Sequence, residues 1–226
     1  MKDTKSFLSL LVLLGITLLL VMGCKKEEEE DVTTTASTAT ELEGAWNSGC
    51  IVDPDPDTDP SADAPSYVKS TVTFTNNTMN TTEARYDSSD DTCSSPMMIA
   101  DQDATFTIGA SVTTTDVPPI SAKKIDTTIV TMKMTIKDQN MLDFFFNAVP
   151  LPCGVTFVLD VTQDITGQTC HFGDPSDDGE DFSAGVINYT IYDLSGDTFL
   201  QQYVDSSTDS GRPTSFSNPL SFTKQL

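Results

Sequence analysis

The chain has 226 residues, with 34 acidic against 12 basic side chains and a formal charge of −22, a balance that excludes nucleic acid and anionic membrane faces as electrostatic partners. With 38% hydrophobic residues it can still build one core, so the composition predicts a single folded domain behind short processing segments.

The first segment carries Lys2 and Lys5 ahead of the apolar run Phe7 to Met22, "FLSLLVLLGITLLLVM". That run falls short of the roughly 20 residues that cross a bilayer, so residues 1–23 are expected to be a signal peptide. The next residues, "VMGC", resemble a bacterial lipobox. The resemblance implies cleavage after Gly23 and acylation of Cys24, with a membrane as partner through the lipid. Each buried methylene of the acyl chains contributes about 0.8 kcal/mol, so two or three chains hold firmly. Cleavage removes Lys2, Lys5 and Asp3, taking the charge from −22 to −23.

Residues 24–41 continue as "CKKEEEEDVTTTASTATE", too polar to bury a core and expected to be a solvated tether. A Lys-plus-acidic run behind the cysteine is similar to the surface-export signal of some outer-membrane lipoproteins. It also lacks the Asp found after the cysteine in lipoproteins kept at the inner membrane. The implied address is the outer membrane, with the cell surface as one of its two faces.

From residue 42 to 226 short alternating segments are punctuated by Gly, Pro, Asn, Asp and Ser, which predicts an all-β domain. In "YVKSTVTFT", Val68, Ser70, Val72 and Phe74 share one face. Phe106, Ile108, Ala110 and Val112 alternate likewise, as do Val130, Met132, Met134 and Ile136. Such half-buried strands predict an antiparallel sheet with a polar face. "MLDFFFNAV" and "GVTFVLDV" are continuously apolar and are expected to be strands covered on both sides. "GVINYTIYDLSGDTFLQQYV" predicts a hairpin turning at Ser195-Gly196-Asp197, with Ile187, Tyr189 and Ile191 alternating against Asn188 and Thr190, and "SFTKQL" supplies a last strand. Eight or nine strands suit a single barrel, with a β-sandwich as the alternative.

The domain opens with "ELEGAWNSGC", and Gly44-x-Trp46 ahead of a first strand resembles the Gly-x-Trp signature of lipocalins and other calycins. The ending "LSGDTFL…GRPTSF" is similar to the last hairpin of bacterial lipocalin-like lipoproteins. The order of Trp, Cys, "YVKSTVTF" and "YDSSDDTC" is similar to the lipocalin-like barrels of secreted Wnt-inhibitor ectodomains. The resemblance implies a barrel whose Trp46 plugs one end under a basic side chain, with Lys224 and Arg212 as candidates. The middle lipocalin motif is not recognisable.

Setting Cys24 aside leaves Cys50, Cys93, Cys153 and Cys170, an even set that suits an oxidising compartment. Of three pairings, Cys50 with Cys93 and Cys153 with Cys170 is favoured, because each stays within one half of the chain. No Cys/His spacing suggests zinc.

The only histidine, His171, stands beside Cys170 and has no nucleophile elbow near it, so no enzymatic activity and no cofactor are expected. The acidic runs are sharper. Asp53, Asp55, Asp57 and Asp59 alternate, and Asp174, Asp177, Asp178 and Glu180 crowd Gly179. Calcium takes about six to eight oxygens, which such runs can supply, although a merely solvated loop is the default and neither run matches an EF-hand. Met132, Met134, Phe144, Phe145 and Phe157 are the candidates to line a calyx for a small hydrophobic ligand, with core packing as the plain alternative. The first expectation is therefore an outer-membrane lipoprotein whose tether keeps the open end of the barrel near the membrane that supplies its ligand. The second is a surface module that meets a protein partner through acidic, calcium-ordered loops.

Overall fold

The computed structural model describes residues 41–53, 66–147, 153–170, 180–202, 207–217 and 219–226, and within these it omits the side chains of residues 144–147 and 180. The core architecture is a closed antiparallel β-barrel of eight strands. β1 (Gly44–Asn47), β3 (Tyr67–Thr75), β4 (Thr78–Tyr86), β5 (Met98–Thr113) and β6 (Ser121–Ile136) form the first half. β10 (Ile187–Ser195), β11 (Thr198–Gln202) and β12 (Pro219–Lys224) complete it.

The sheet closes because the four-residue β1 pairs on both sides, with Trp46 opposite Val72 of β3 and opposite Lys224 of β12. The two-residue β2 (Ile51–Val52) continues β1 along the same edge of β3. β7 (Thr162–Asp164) extends β6, and β8 (Thr169–Cys170) pairs with β9 (Glu180–Asp181) as a separate ribbon.

Alternation sets the inside. Val68, Ser70, Val72 and Phe74 of β3 are all buried, as the pattern predicts. Two bulges break the longer alternations. Between Ile108 and Ser111 the register slips, and at this bulge Gly109 passes so close to Lys124 that an added Cβ would lie 3.0 Å from that residue's Cβ. Ala110 is therefore exposed, and Val112 changes face relative to Ile108. A second slip leaves Val130 without a partner and 46% exposed, while Ile129 takes the inward place expected of it.

Two apolar segments differ from expectation. "MLDFFFNAV" lies mostly in α1 (Gln139–Asn147), not a strand. The Asp138 carboxylate accepts from the N–H groups of Asn140 (2.8 Å) and Met141 (3.0 Å), an N-cap that starts a helix where apolar content alone suggested a covered strand. "GVTFVLDV" is turn and irregular chain, since Gly154 (φ 64°) and Asp160 (φ 60°) both adopt left-handed backbone that no strand admits. The β10–β11 hairpin forms as predicted, with Gly196 at φ 60° in its turn. Its inward face, however, carries Thr190 and Tyr192, whereas Ile187 is 38% exposed.

Both expected disulfides are present, Cys50–Cys93 and Cys153–Cys170. The barrel's main core gathers around Trp46, Phe74, Phe106 and Phe199. A second core forms beneath the excursion between β6 and β10, where Met134, Ile136, Phe157, Ile165 and the Cys153–Cys170 bridge pack together.

Candidate functional site

One pole of the barrel is sealed by rings. Phe199 of β11 lies 5.4–5.8 Å, centroid to centroid, from Trp46, Phe74, Tyr192 and Phe222, and Phe74 meets Phe106 edge-on at 5.1 Å. These separations suit favourable tilted and edge-to-face contacts. The indole N–H of Trp46 donates to the Leu42 carbonyl (2.8 Å), so the incoming chain is bolted across the same pole.

Of the two basic candidates for covering Trp46, Lys224 does so, with its ammonium 5.2 Å from the ring centroid. Gly44 belongs to the same device. Its φ of +115° suits glycine alone, and a Cβ there would lie 3.3 Å from Lys224 Cε. Arg212 has a different place, because β12 starts only at Pro219 and Arg212 sits in the preceding segment, on the outside of the barrel. There its guanidinium donates to the Ile125 (3.1 Å) and Thr190 (2.7 Å) carbonyls, pairs with Asp126 and Asp209, and stacks over Tyr189 at 5.0 Å.

Beside the ring cluster lies a group that the sequence did not single out. The Glu41 carboxylate accepts from the Tyr192 hydroxyl and from Lys123. Burial alone would raise the Glu41 carboxyl, but the Lys123 and Tyr192 hydrogen bonds and the Lys123 charge outweigh it and hold it below the usual range. Burial first, then the bond to Glu41 and its charge, push Tyr192 upward. Glu41 is 82 residues from Lys123 and 151 from Tyr192 in sequence, separations at which no local pattern shows a contact.

The opposite half of the interior is mixed: Met132, Met134 and Ile136 pair with Gln102, Ala100 and Met98 and share their inward face with a set of polar side chains. Ladder partners share a face, so Glu83 (opposite Ser70), Arg85 (opposite Val68), Gln102 (opposite Thr81), Asn188 (opposite Thr127) and Gln201 (opposite Leu220) all point inward. Arg85 bridges Asp53 (3.0 Å) and Glu83 (3.1 Å), and Ser70 Oγ reaches Glu83 at 3.5 Å. At the ring pole Trp46, Phe74 and Phe199 are 0–1% exposed, whereas the side chains of Glu83 and Arg85 keep 22% and 17% of their surface open. Solvent therefore reaches the Glu83–Arg85 side of this half, while Val68, Ser70 and Met134 stay buried. Asp53 is no loose calcium ligand: it is 4% exposed and tied to Arg85 and Ser66.

The calyx candidates divide. Met134 (2% exposed) and Phe157 (5%) are packed in the second core, with Met132 partly buried at its edge. Met132 and Met134 pair with Gln102 and Ala100 and so face the interior, where Phe157 and Ile165 of the excursion pack against that core. Phe144 and Phe145 lie on α1, off the barrel strands, and their side chains are outside the described set. Cys24, Asp55, Asp57, Asp59, Asp174, Asp177 and Asp178 lie outside the described residues, as does the side chain of Glu180. Among the described residues no acidic, Cys or His cluster could hold a metal.

No protein-family model matches the chain, and no curated protein is similar to it at a significant level.

Proposed function

We propose that the chain is an exported, lipid-anchored barrel that binds one small molecule in the half of its interior remote from Trp46 and performs no chemistry on it. The observation that carries this reading is the gradient along the inside of the barrel. Inward positions at the ring pole are sealed, while at the other end Glu83 and Arg85 keep part of their surface open beside the buried Val68, Ser70, Met134 and Ile136. The placement of Gly44, Trp46 and Lys224 supports the lipocalin resemblance, and the two disulfides suit an exported chain.

The lining refines the ligand. Met132 offers apolar surface, which stabilises a ligand by about 25 cal/mol per Å² buried, while Glu83, Arg85 and Gln102 demand polar partners. The hydrophobic molecule expected from the sequence is therefore given a polar end.

Native mass spectrometry of the full chain released from detergent tests this, with lauric acid and dodecylamine as probes. One-to-one binding that is lost in Gln102→Phe, a variant that fills the open half, is the expected result. If neither probe binds and no small molecule copurifies, the binding reading fails. The six-ring cluster, which fills much of the barrel with side chains, then favours a solid module that meets a protein partner through its loops.

A further inference from the structure

The geometry points to a lipid surface as the partner of the ring-sealed pole, contacted by the tip of the β5–β6 hairpin, so that the open half of the barrel faces away from the bilayer. This rests on the reading of Cys24 as a lipid anchor.

The hairpin overshoots its neighbours at that pole. β4 ends at Thr78, opposite Thr105, and β10 follows β6 only as far as Tyr192 opposite Lys123. The pairs Val112–Ala122 and Thr113–Ser121 stand beyond β4 and beyond the last β6–β10 pair, level with the end of β10 at Ser195, and the tip 114–120 follows them. The tip carries "VPPI": Val117 is 97% exposed, and Pro118 and Pro119 are exposed beside it.

Nothing in the fold leaves this tip loose. The Thr114 N–H donates to the Ile120 carbonyl (2.9 Å), and Thr114 Oγ1 accepts from the Ile120 N–H (3.0 Å). From outside, the Thr115 N–H donates to the Thr214 carbonyl (2.8 Å), and the Asp116 carboxylate accepts from the Phe216 N–H (3.1 Å). One neighbouring segment, through Thr214 and Phe216, thus holds an apolar tip in solvent, where an unpartnered valine gains nothing.

The chain enters the barrel at the same pole. Glu41 is tied to Lys123, only three residues beyond Ile120, and Leu42 is bound by Trp46. Residues 24–40, seventeen in all, span at most about 60 Å, so an acyl group on Cys24 keeps this pole within that reach of the lipid. A link of this kind gives an effective concentration on the order of millimolar, enough to populate a contact too weak to form between free molecules. Lys123, Lys124 and Lys224 lie at this pole among Glu41, Glu43, Asp116, Asp193 and Asp197, so apolar contact and not charge is what the tip offers a bilayer.

The test places bimane on Val117→Cys or on Asn140→Cys, an exposed position at the opposite end, in the full acylated chain reconstituted into phosphatidylcholine–phosphatidylglycerol vesicles containing nitroxide-labelled lipid. The label at position 117 is expected to lose most of its fluorescence to the nitroxide and to shift to the blue, and the label at 140 to do neither. Equal quenching at both positions, or stronger quenching at 140, overturns the proposal while leaving the anchor intact. Chain that fails to float with vesicles and shows no acyl mass on the Cys24 peptide overturns the anchor reading and this inference with it.

Discussion

Lys224 and Trp46 are direct cross-strand partners, and the lysine lies over the face of the indole with its ammonium 5.2 Å from the ring centroid. A partly desolvated cation on a ring face contributes about 0.5–2 kcal/mol. Lys224→Met is expected to lower stability by that amount, and Lys224→Arg to retain most of it. Trp46 is the only tryptophan, so its fluorescence in a urea titration reports the change directly.

Phe199 touches four other rings and is fully buried. Its replacement by alanine removes the centre of the cluster and leaves a cavity, at a cost of about 3–5 kcal/mol. Phe199→Leu should cost less. Thermal unfolding of the two variants checks the order, and equal losses would contradict a packed ring pole.

Arg212 binds two ladder carbonyls and two carboxylates while its side chain is only 6% exposed. Arg212→Ala leaves Asp126 and the carbonyls without their donor, and a loss of about 3–5 kcal/mol is expected for such a buried, multiply bonded charge. Arg212→Lys cannot reproduce the planar fork and should rescue little. Urea unfolding measures both, and full rescue by lysine would show that charge alone mattered.

Glu41 and Tyr192 bracket a pH window. The Glu41 carboxyl is held below its ordinary 4.5, so its stabilisation is complete above that pH and is lost as pH falls through the depressed value. Tyr192 is raised above its ordinary 10, so its contribution is complete below pH 10 and falls away as the unfolded chain ionises above it. Asp90, drawn down to about 2 chiefly by the N–H groups of Ser95 and Ser94, adds to the acid limb. Tyr192→Phe is therefore expected to flatten the alkaline limb and to move the acid limb to higher pH, as read from Trp46 fluorescence against pH.

The Cys153–Cys170 bridge closes a loop of 17 residues and sits inside the second core, whereas Cys50–Cys93 closes 43. Loop entropy gives about 3 and 4 kcal/mol respectively. Replacing Cys153 and Cys170 by alanine should selectively weaken protection of the excursion against amide exchange, while β3 and β12 exchange as before. A uniform rise in exchange across the barrel would show the two cores to be one cooperative unit.

Strand alternation was legible wherever a strand stayed regular, as in Val68 to Phe74, and failed where a bulge entered, because Gly109 and Val130 change face without changing composition. The helix at 139–147 was hidden by its apolar content, although Asp138 two places before Asn140 was a readable cap. Trp46 with Lys224 could be anticipated because both sit in recognisable terminal segments. The inward polar residues could not. Glu83, Arg85 and Gln102 look like solvent-facing residues until the register with Ser70, Val68 and Thr81 turns them inward.

Closure by the first and last strands sets an order of events. A chain emerges N-terminus first, yet β1 cannot be flanked on both sides until Pro219 to Lys224 has arrived, the final strand of the sequence. Until then the exposed backbone edges of β1 and β11 and the aromatic side chains around Phe199 are open to neighbouring chains, so a holding chaperone has its work before the last six-residue strand arrives and little afterwards.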